Sequence, residues 1–191
     1  VDLGGVVRLK LISCEIFYRE MCAAVSQSTN QVDIAFLPKG LHDIGHEQML
    51  ARVQEAVDTV DAARYEAILL GYALCNNGIA GLAARSIPIV VPRAHDCITL
   101  FLGSRESYRY QFDNFPGTYW YAQDYIERED GSGTALSMGA GTDTDLAAVY
   151  DEYVQKYGKD NADYLMEVMG AWKQHYQRAV YIEMGISNGT E

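Results

Sequence analysis

Four short apolar segments, separated by amphipathic or turn-forming stretches, constrain the fold of this chain more than any other feature. They lie at residues 6–12, 32–37, 67–71 and 87–91. Near-continuous apolar strands of this kind are typical of parallel sheets covered on both faces, and parallel strands need crossover connections, usually helices. Apolar residues recur at helical spacing over residues 15–26 and again over residues 49–60. We therefore predict an α/β fold with a Rossmann-like, mostly parallel sheet and helices on both faces.

The rest of the chain is first aromatic and then rich in glycine. Residues 108–125 contain eight aromatic side chains, and residues 131–141 contain four glycines. Further helices are expected over residues 79–84, 142–157 and 161–176, and a last strand over residues 179–184. We predict a single α/β domain over residues 1–191, with an aromatic and glycine-rich insertion around residues 104–142.

The charge of the chain narrows the classes of partner. With 26 acidic and 15 basic residues the formal net charge is −11, and such a charge disfavours binding to phosphate backbones and to anionic membranes. No segment approaches the ~20 apolar residues of a membrane span, and no secretory signal pattern begins the chain. We therefore expect a cytoplasmic protein with no nucleic-acid partner and no membrane partner.

Three of the four cysteines follow predicted strands. Cys14 follows the first strand, Cys75 the third and Cys97 the fourth. His42 and His95 follow the second and the fourth strand. Because the carboxyl ends of parallel strands share one edge of the sheet, we expect these side chains to converge. Thiolates and imidazoles bind Zn²⁺ and iron–sulfur clusters, so the pattern predicts a metal site, with a reactive-thiol site as the alternative.

Charged residues next to these cysteines are candidates for catalysis. Glu15, Arg93 and Asp96 adjoin the cysteines in sequence and are the candidate catalytic residues. The Arg93 guanidinium could hold an anion through two parallel hydrogen bonds, or it could pair with Asp96 or Glu15. Cys22, by contrast, lies in the apolar stripe of the first helix, and we expect it to be a buried core residue.

Candidate substrate-binding residues come from two segments. Asn76 and Gly78 precede the short helix expected over residues 79–84, whose free backbone N–H groups could hold a carboxylate or a phosphate. Helix capping alone is the alternative. Tyr119 and Trp120 lie in the aromatic segment, which could wall a cleft, enclose a methylated amine by cation–π contact, or form a homo-oligomer interface.

Several motifs together resemble the DUF1638 family, a domain of unknown function. The two most specific are Gly71-Tyr72-x-Leu74-Cys75-Asn76-Asn77-Gly78 and Pro92-Arg93-Ala94-His95-Asp96-Cys97. The others are Ser13-Cys14-Glu15, Leu37-Pro38 with Leu41-His42, Pro116-Gly117-Thr118-Tyr119-Trp120, and Tyr157-Gly158-x-Asp160-Asn161-Ala162. The resemblance implies a cytoplasmic prokaryotic or archaeal protein that accompanies corrinoid-dependent methyltransferases of methylamine and betaine metabolism.

Three functions are compatible with these residues. The first is an enzyme of corrinoid-linked one-carbon metabolism, in which Zn²⁺ or iron activates a thiol substrate or methyl acceptor and the partner is a corrinoid protein or a methyltransferase. The pair His95-x-Cys97 with a distant cysteine is similar to the zinc site of thiol methyltransferases that use methylcobalamin. The second function is an iron–sulfur redox protein, and the third is a non-catalytic metal-binding partner of a methyltransferase complex.

Overall fold

The main sheet is parallel throughout the part of the chain that the computed structural model describes, which is residues 5–42, 44–75, 77–128, 154–156, 158–163 and 178–186. Its strands are β1 (Arg8–Cys14), β2 (Gln31–Leu37), β3 (Ala67–Gly71) and β4 (Ile89–Val90), in the spatial order β2-β1-β3-β4. Ile12 of β1 lies opposite Ala35 of β2 and Leu70 of β3. The predicted α/β fold with a mostly parallel sheet is confirmed.

Two helical connections cover the sheet. A short 3-10 helix (Glu15–Phe17) leads into α1 (Tyr18–Ser26), and a second one (Lys39–His42) precedes α2 (His46–Asp58). The connection from β1 to β2 and the connection from β2 to β3 run in opposite directions across the sheet. Because parallel crossovers are right-handed, α1 and α2 lie on opposite faces. The α2 helix buries a stripe with a four-residue spacing, formed by Met49, Val53 and Val57.

The prediction of a helix over residues 79–84 is wrong, because residues 77–81 form turns instead. Asn77 and Gly81 have left-handed backbones, with φ of 64° and 96°, and such residues cannot continue a right-handed helix. Gly78 is packed so closely that a Cβ atom there would lie 2.2 Å from the Met49 sulfur. The anion site expected at this helix start therefore loses its structural basis.

Residues 97–127, which include the aromatic segment, form regular elements after the main sheet. These are α3 (Cys97–Phe101), α4 (Arg105–Asn114), β5 (Thr118–Tyr121) and α5 (Gln123–Glu127). β5 pairs in parallel with β6 (Arg178–Tyr181) in a separate two-stranded sheet. Residues 154–156 and 159–163 are helical, and Gly158 between them has φ of 80° and donates its N–H to the Val154 carbonyl. The glycine-rich segment over residues 131–141 lies outside the described residues.

The α1 helix is less buried than its sequence indicates. None of its side chains is fully buried, and Cys22 is only half-buried, so the expectation of a buried core cysteine is wrong. The apolar side of α1 borders an open groove of about 540 Å³, to which Met21 and Val25 contribute together with Leu11 and Leu69 of the sheet. Within the described part of the chain, no helix is both long enough and apolar enough to cross a membrane.

Candidate functional site

The topology places a switch point between β1 and β3. The chain leaves β1 toward one side of the sheet and leaves β3 toward the other, so the strand order reverses between these two neighbours. Such switch points leave an opening beyond the carboxyl ends of the strands, which is where open α/β sheets bind their ligands. Cys14 is the last residue of β1, and residues 72–75 follow directly after β3.

A buried serine holds the two strand ends together. The Ser13 side chain is fully buried, and its hydroxyl lies 3.2 Å from the Gly71 carbonyl oxygen and 3.1 Å from the Cys14 carbonyl oxygen. A Cβ atom on Gly71 would lie 2.3 Å from the Ser13 Oγ. The glycine therefore permits the close approach that fixes the Cys14 backbone beside the end of β3.

Cys75 is held in an unusual backbone conformation. Its φ is 48°, in the left-handed region that side chains other than glycine adopt at a cost of roughly 1–2 kcal/mol. Its N–H donates to the His95 carbonyl at 3.0 Å, and the N–H of Leu74 donates to the Ala94 carbonyl at 3.0 Å. These bonds tie the loop after β3 to the loop before α3. Strain of this kind persists where the surroundings impose it, and it concentrates at functional sites.

Cys97 reaches the same place from α3. The Asp96 carboxylate caps this helix, with its Oδ1 accepting hydrogen bonds from the Thr99 N–H at 2.8 Å and the Thr99 hydroxyl at 2.9 Å. The Cys97 side chain that follows is buried. Asp96 therefore has a structural role in the described residues, because it fixes the first turn of the helix that carries Cys97.

The three thiols influence one another electrostatically. Cys14 and Cys97 are buried and Cys75 is half-buried, and loss of hydration is the main reason why the pKa of Cys14 and that of Cys75 rise to about 12 and the pKa of Cys97 rises well above its ordinary value. The charge of Cys75 raises the pKa of both Cys14 and Cys97, and the charge of Cys14 raises that of Cys97. We call Cys14, Cys75 and Cys97 the thiol cluster, and the expectation that their sulfurs meet at one point stays a prediction.

Backbone N–H groups favour the thiolate form of each sulfur in the thiol cluster. Hydrogen bonds from the backbone of Ile16 to Cys14, of Ala73 to Cys75, and of Cys97 to its own sulfur act against burial and lower the respective pKa values. Without a cation the effect of burial dominates, so all three sulfurs are neutral thiols near neutral pH. A cation close to the sulfurs would lower the thiol pKa values further, as the N–H groups do, and would favour thiolates over neutral thiols.

The raised thiol pKa values predict that the metal-free protein loses stability in alkaline solution. An unfolded thiol ionises near about pH 8.5, whereas Cys14 and Cys75 keep their protons up to a pKa of about 12 in the folded chain. Between these values the unfolded state binds fewer protons, so the free energy of unfolding falls by about 1.4 kcal/mol per pH unit for each thiol. Denaturant titrations at successive pH values measure this slope. Cys75→Ala should remove about a third of it, and an unchanged slope in that variant would contradict the burial argument.

Tyr72 adds an unpaired polar group to the thiol cluster. The residue follows β3 directly, is fully buried, and its hydroxyl makes no hydrogen bond of normal geometry. The hydroxyl is nevertheless close enough to the Cys14 sulfur to lower the pKa of that thiol. A buried hydroxyl without a partner costs roughly 1–3 kcal/mol. Sequence analysis named Tyr72 within the motif over residues 71–78 but did not assign it to the site, although its place between the end of β3 and Cys75 was a usable signal.

Of the two candidate histidine ligands, only the His95 side chain lies within the described part of the structure. His95 is exposed, and its Nδ1 lies 3.4 Å from the Asp96 Oδ2. The His42 side chain lies outside the described part of the structure. In the described residues, no group of three or more histidine, cysteine or acidic side chains is arranged as a ready-made metal site.

The other two candidate catalytic residues lie at the same edge of the sheet. Glu15 accepts the Lys39 N–H at 3.0 Å and lies 3.9 Å from the Arg128 guanidinium, so it connects the ends of β1 and β2. Arg93 is exposed. Among the described residues, no ion pair joins Arg93 to Asp96 or Glu15, which was the structural alternative to an anion-binding role.

A network of buried charges borders this edge, and sequence analysis did not foresee it. Asp124 is 2% exposed and accepts the Arg19 N–H at 2.7 Å, with the Arg19 and Arg128 Nε atoms at 3.3 and 3.5 Å. Lys39 is also buried, and its Nζ donates to the Tyr125 carbonyl at 3.2 Å. The network fastens α5 to residues that follow β1 and β2. No local pattern could connect charged residues that stand about a hundred positions apart in the chain.

The candidate substrate-binding residues are dispersed. Asn76 lies outside the described residues, and Gly78 is a buried turn residue. Tyr119 is half-buried, whereas Trp120 is part of the main hydrophobic core. Two other rings of the aromatic segment already face cations of this chain, because the Lys39 Nζ lies 4.8 Å from the Tyr125 ring centre and the Arg178 guanidinium 4.1 Å from that of Phe115.

Comparison with known proteins places the chain in a family. A family model described as "Protein of unknown function (DUF1638)" matches residues 36–191. The match includes Cys75 and Cys97 and begins after β1, so Cys14 lies outside it. Neither the curated proteins nor the solved structures that were searched contain a match. Because the matched residues make up most of the chain, this protein belongs to the DUF1638 family.

Proposed function

We propose that this protein binds a thiophilic metal ion through Cys14, Cys75 and Cys97, with Zn²⁺ as the first candidate and iron as the alternative. The proposal is supported by three cysteines from separate chain segments near the switch point of a parallel sheet, where the charge of Cys75 raises the pKa of both Cys14 and Cys97. Sulfur donors suit Zn²⁺ and iron–sulfur clusters better than they suit Mg²⁺ or Ca²⁺.

A role as ordinary core residues explains the thiol cluster less well. A buried free cysteine commonly acts as a small apolar side chain, but that role needs neither the left-handed backbone of Cys75 nor the unpaired hydroxyl of Tyr72. It also gives no reason for a backbone N–H beside each sulfur. A bound cation accounts for these features together, because it favours thiolates, and thiolates are strong hydrogen-bond acceptors.

Three protein ligands leave one position of a tetrahedral Zn²⁺ ion open, as in catalytic zinc sites. His95 is exposed and stands two residues before Cys97 in the sequence. It is the candidate for a further metal ligand, or for a group beside the open coordination position. A metal with an open position would lower the pKa of a bound thiol substrate and make it a nucleophile at neutral pH. The chain itself would hold the ligands, through the Ser13 contact to β3 and the Asp96 cap of α3.

The reaction that we propose is methyl transfer to a small thiol. The substrate thiolate attacks the methyl carbon of a methylated corrinoid, the new S–C bond forms, and the Co–C bond breaks with its electron pair remaining on cobalt. The choice of a corrinoid as methyl donor, and of a corrinoid protein or methyltransferase as partner, rests on the family resemblance alone.

Metal analysis of protein purified without air tests the proposal. We expect about one Zn²⁺ per chain and no visible absorption, followed by methylation of a small thiol when methylcobalamin is added. A brown protein with iron and sulfide in place of zinc would support the redox alternative. Metal without methylation would support a non-catalytic binding partner. A well-folded protein that takes up neither zinc nor iron would overturn the proposal.

A further inference from the structure

The α4 helix carries a row of basic and aromatic residues on one side. Arg105, Tyr108, Arg109 and Phe112 recur at intervals of three and four residues, which places their side chains on one face of the helix. We call these four residues the α4 stripe. Phe112 is 64% exposed and the Arg109 side chain 84%, Arg105 is exposed, and Tyr108 at the border is half-buried. Exposed aromatic rings in the company of arginines are typical of contact surfaces between proteins.

The two ends of the α4 stripe are complementary to each other. The Phe112 ring lies 6.1 Å from the Tyr108 ring, between centroids, and most of it remains open to solvent. Arg105 has neither an acidic partner nor a ring beneath it among the described residues. Elsewhere this chain covers such a ring with an arginine, because the Arg178 guanidinium lies 4.1 Å from the Phe115 ring centre. Arg105 and Phe112 cannot meet in one helix, because seven residues extend about 10 Å along its axis.

We propose that two copies of this chain associate through the α4 stripe, with their α4 helices antiparallel about a two-fold axis midway along it. A two-fold contact is reciprocal, so each residue pair in it occurs twice. Arg105 then covers Phe112 of the partner subunit, and the reverse contact covers Phe112 of this chain. Arg109 lies near the axis, where like charges meet, but its Nε is already 3.5 Å from the Asp113 carboxylate of its own chain.

The order of residues in the α4 stripe favours a second copy over an unrelated partner. The stripe has its unpaired cation at one end and its open ring at the other, so it is complementary to its own reversed copy. Parallel helices would instead bring Arg105 against Arg105 of the partner subunit, and like charges in contact disfavour that arrangement. This inference is independent of the proposed metal site.

The proposed interface is small and adjoins the strand ends. The ten residues of α4 extend about 15 Å, which is short for the roughly 800 Å² per partner of a standard interface. We therefore expect a weak dimer that dissociates on dilution. The His95 ring stacks on the Tyr108 ring with centroids 6.5 Å apart, so the interface borders the loop before α3.

Sedimentation velocity over a range of protein concentrations, with a reducing agent present, tests the proposal. Phe112→Arg puts two guanidinium groups in contact, and Arg105→Glu puts a carboxylate against the ring and beside Asp113 of the partner subunit. Each variant alone should raise the dissociation constant of the dimer by about tenfold or more. An equimolar mixture of the two variants should dimerise again. In that heterodimer one contact keeps the native arginine–ring pair, and the other joins the new carboxylate at position 105 to the new guanidinium at position 112.

Tyr110→Arg is the matched control. Tyr110 is an exposed aromatic residue of the same helix, 59% exposed, but it lies two positions from Phe112 and so on another face. Its replacement should leave the dimer unchanged. A wild type that stays monomeric at all concentrations would overturn the inference, as would a Phe112→Arg dimer of unchanged strength or two single variants that stay monomeric when mixed. If far-ultraviolet circular dichroism shows Phe112→Arg to be unfolded, Arg105→Glu alone decides, because a dimer of wild-type strength in that variant also contradicts the proposed contact.

Discussion

Cys97→Ser is expected to weaken Zn²⁺ binding by at least roughly a hundredfold. Thiolate sites bind Zn²⁺ with apparent free energies of about 10–16 kcal/mol, and a quarter of such a value corresponds to about two orders of magnitude in the dissociation constant. Cys97 is buried, and the charges of Cys75 and Cys14 act on its sulfur, so its loss removes a donor that bulk water does not readily replace. Competition with a chromophoric chelator in the absence of air measures the change.

Cys22→Ser provides the control for this measurement. Cys22 is half-buried on α1, and it is not among the groups that shift the pKa of the three thiols in the thiol cluster. Its replacement should leave metal content and affinity unchanged. Far-ultraviolet circular dichroism of the metal-free variants separates loss of a ligand from loss of the fold. If Cys22→Ser loses metal while Cys97→Ser keeps it, the ligands have been assigned to the wrong cysteines.

The sequence predicted the carboxyl ends of β2 and β3 correctly, because the pattern that marks them is local, whereas β1 ends two residues later and β4 one residue earlier than expected. The apolar run over residues 67–71 is the strand β3 with the same bounds, and the run over residues 32–37 lies within β2. Once the strands are parallel, their carboxyl ends must share one edge, so the placement of Cys14 and Cys75 at that edge follows from periodicity and topology alone. Neither inference needed knowledge of any side-chain contact.

The features that give the site its chemistry arise from tertiary packing. The expected helix over residues 79–84 fails because Gly81 adopts a left-handed backbone with φ of 96°, and Gly78 before it packs against Met49 of α2, a neighbour that no local pattern reveals. The hydrogen bond from the Ser13 hydroxyl to the Gly71 carbonyl depends on the register of β1 and β3. The unpaired hydroxyl of Tyr72 is visible only when its surroundings are known, because a tyrosine with a satisfied hydroxyl has the same sequence signature.

Proton release is the second large effect that we expect on metal binding. Zn²⁺ binds thiolates, whereas burial keeps Cys14, Cys75 and Cys97 protonated in the metal-free protein. Each bound Zn²⁺ should therefore displace about three protons, and its apparent affinity should rise by about a thousandfold per pH unit near neutrality. The affinity falls as the pH falls, because protons then compete more strongly for the sulfurs. Isothermal titration calorimetry in buffers of different ionisation enthalpy counts the released protons.

The number of protons released at alkaline pH distinguishes buried thiols from exposed ones. At about pH 9.5 a thiol of ordinary pKa has already lost its proton and would release almost none on binding Zn²⁺. Cys14 and Cys75, with pKa values of about 12, still hold their protons at that pH, so the wild type should continue to release two to three protons per metal ion. Cys97→Ser should release about one proton fewer than the wild type at either pH. A count near zero at about pH 9.5, in protein that remains folded, would show that the sulfurs ionise as ordinary exposed thiols do, and the buried thiol cluster would then not be the metal site.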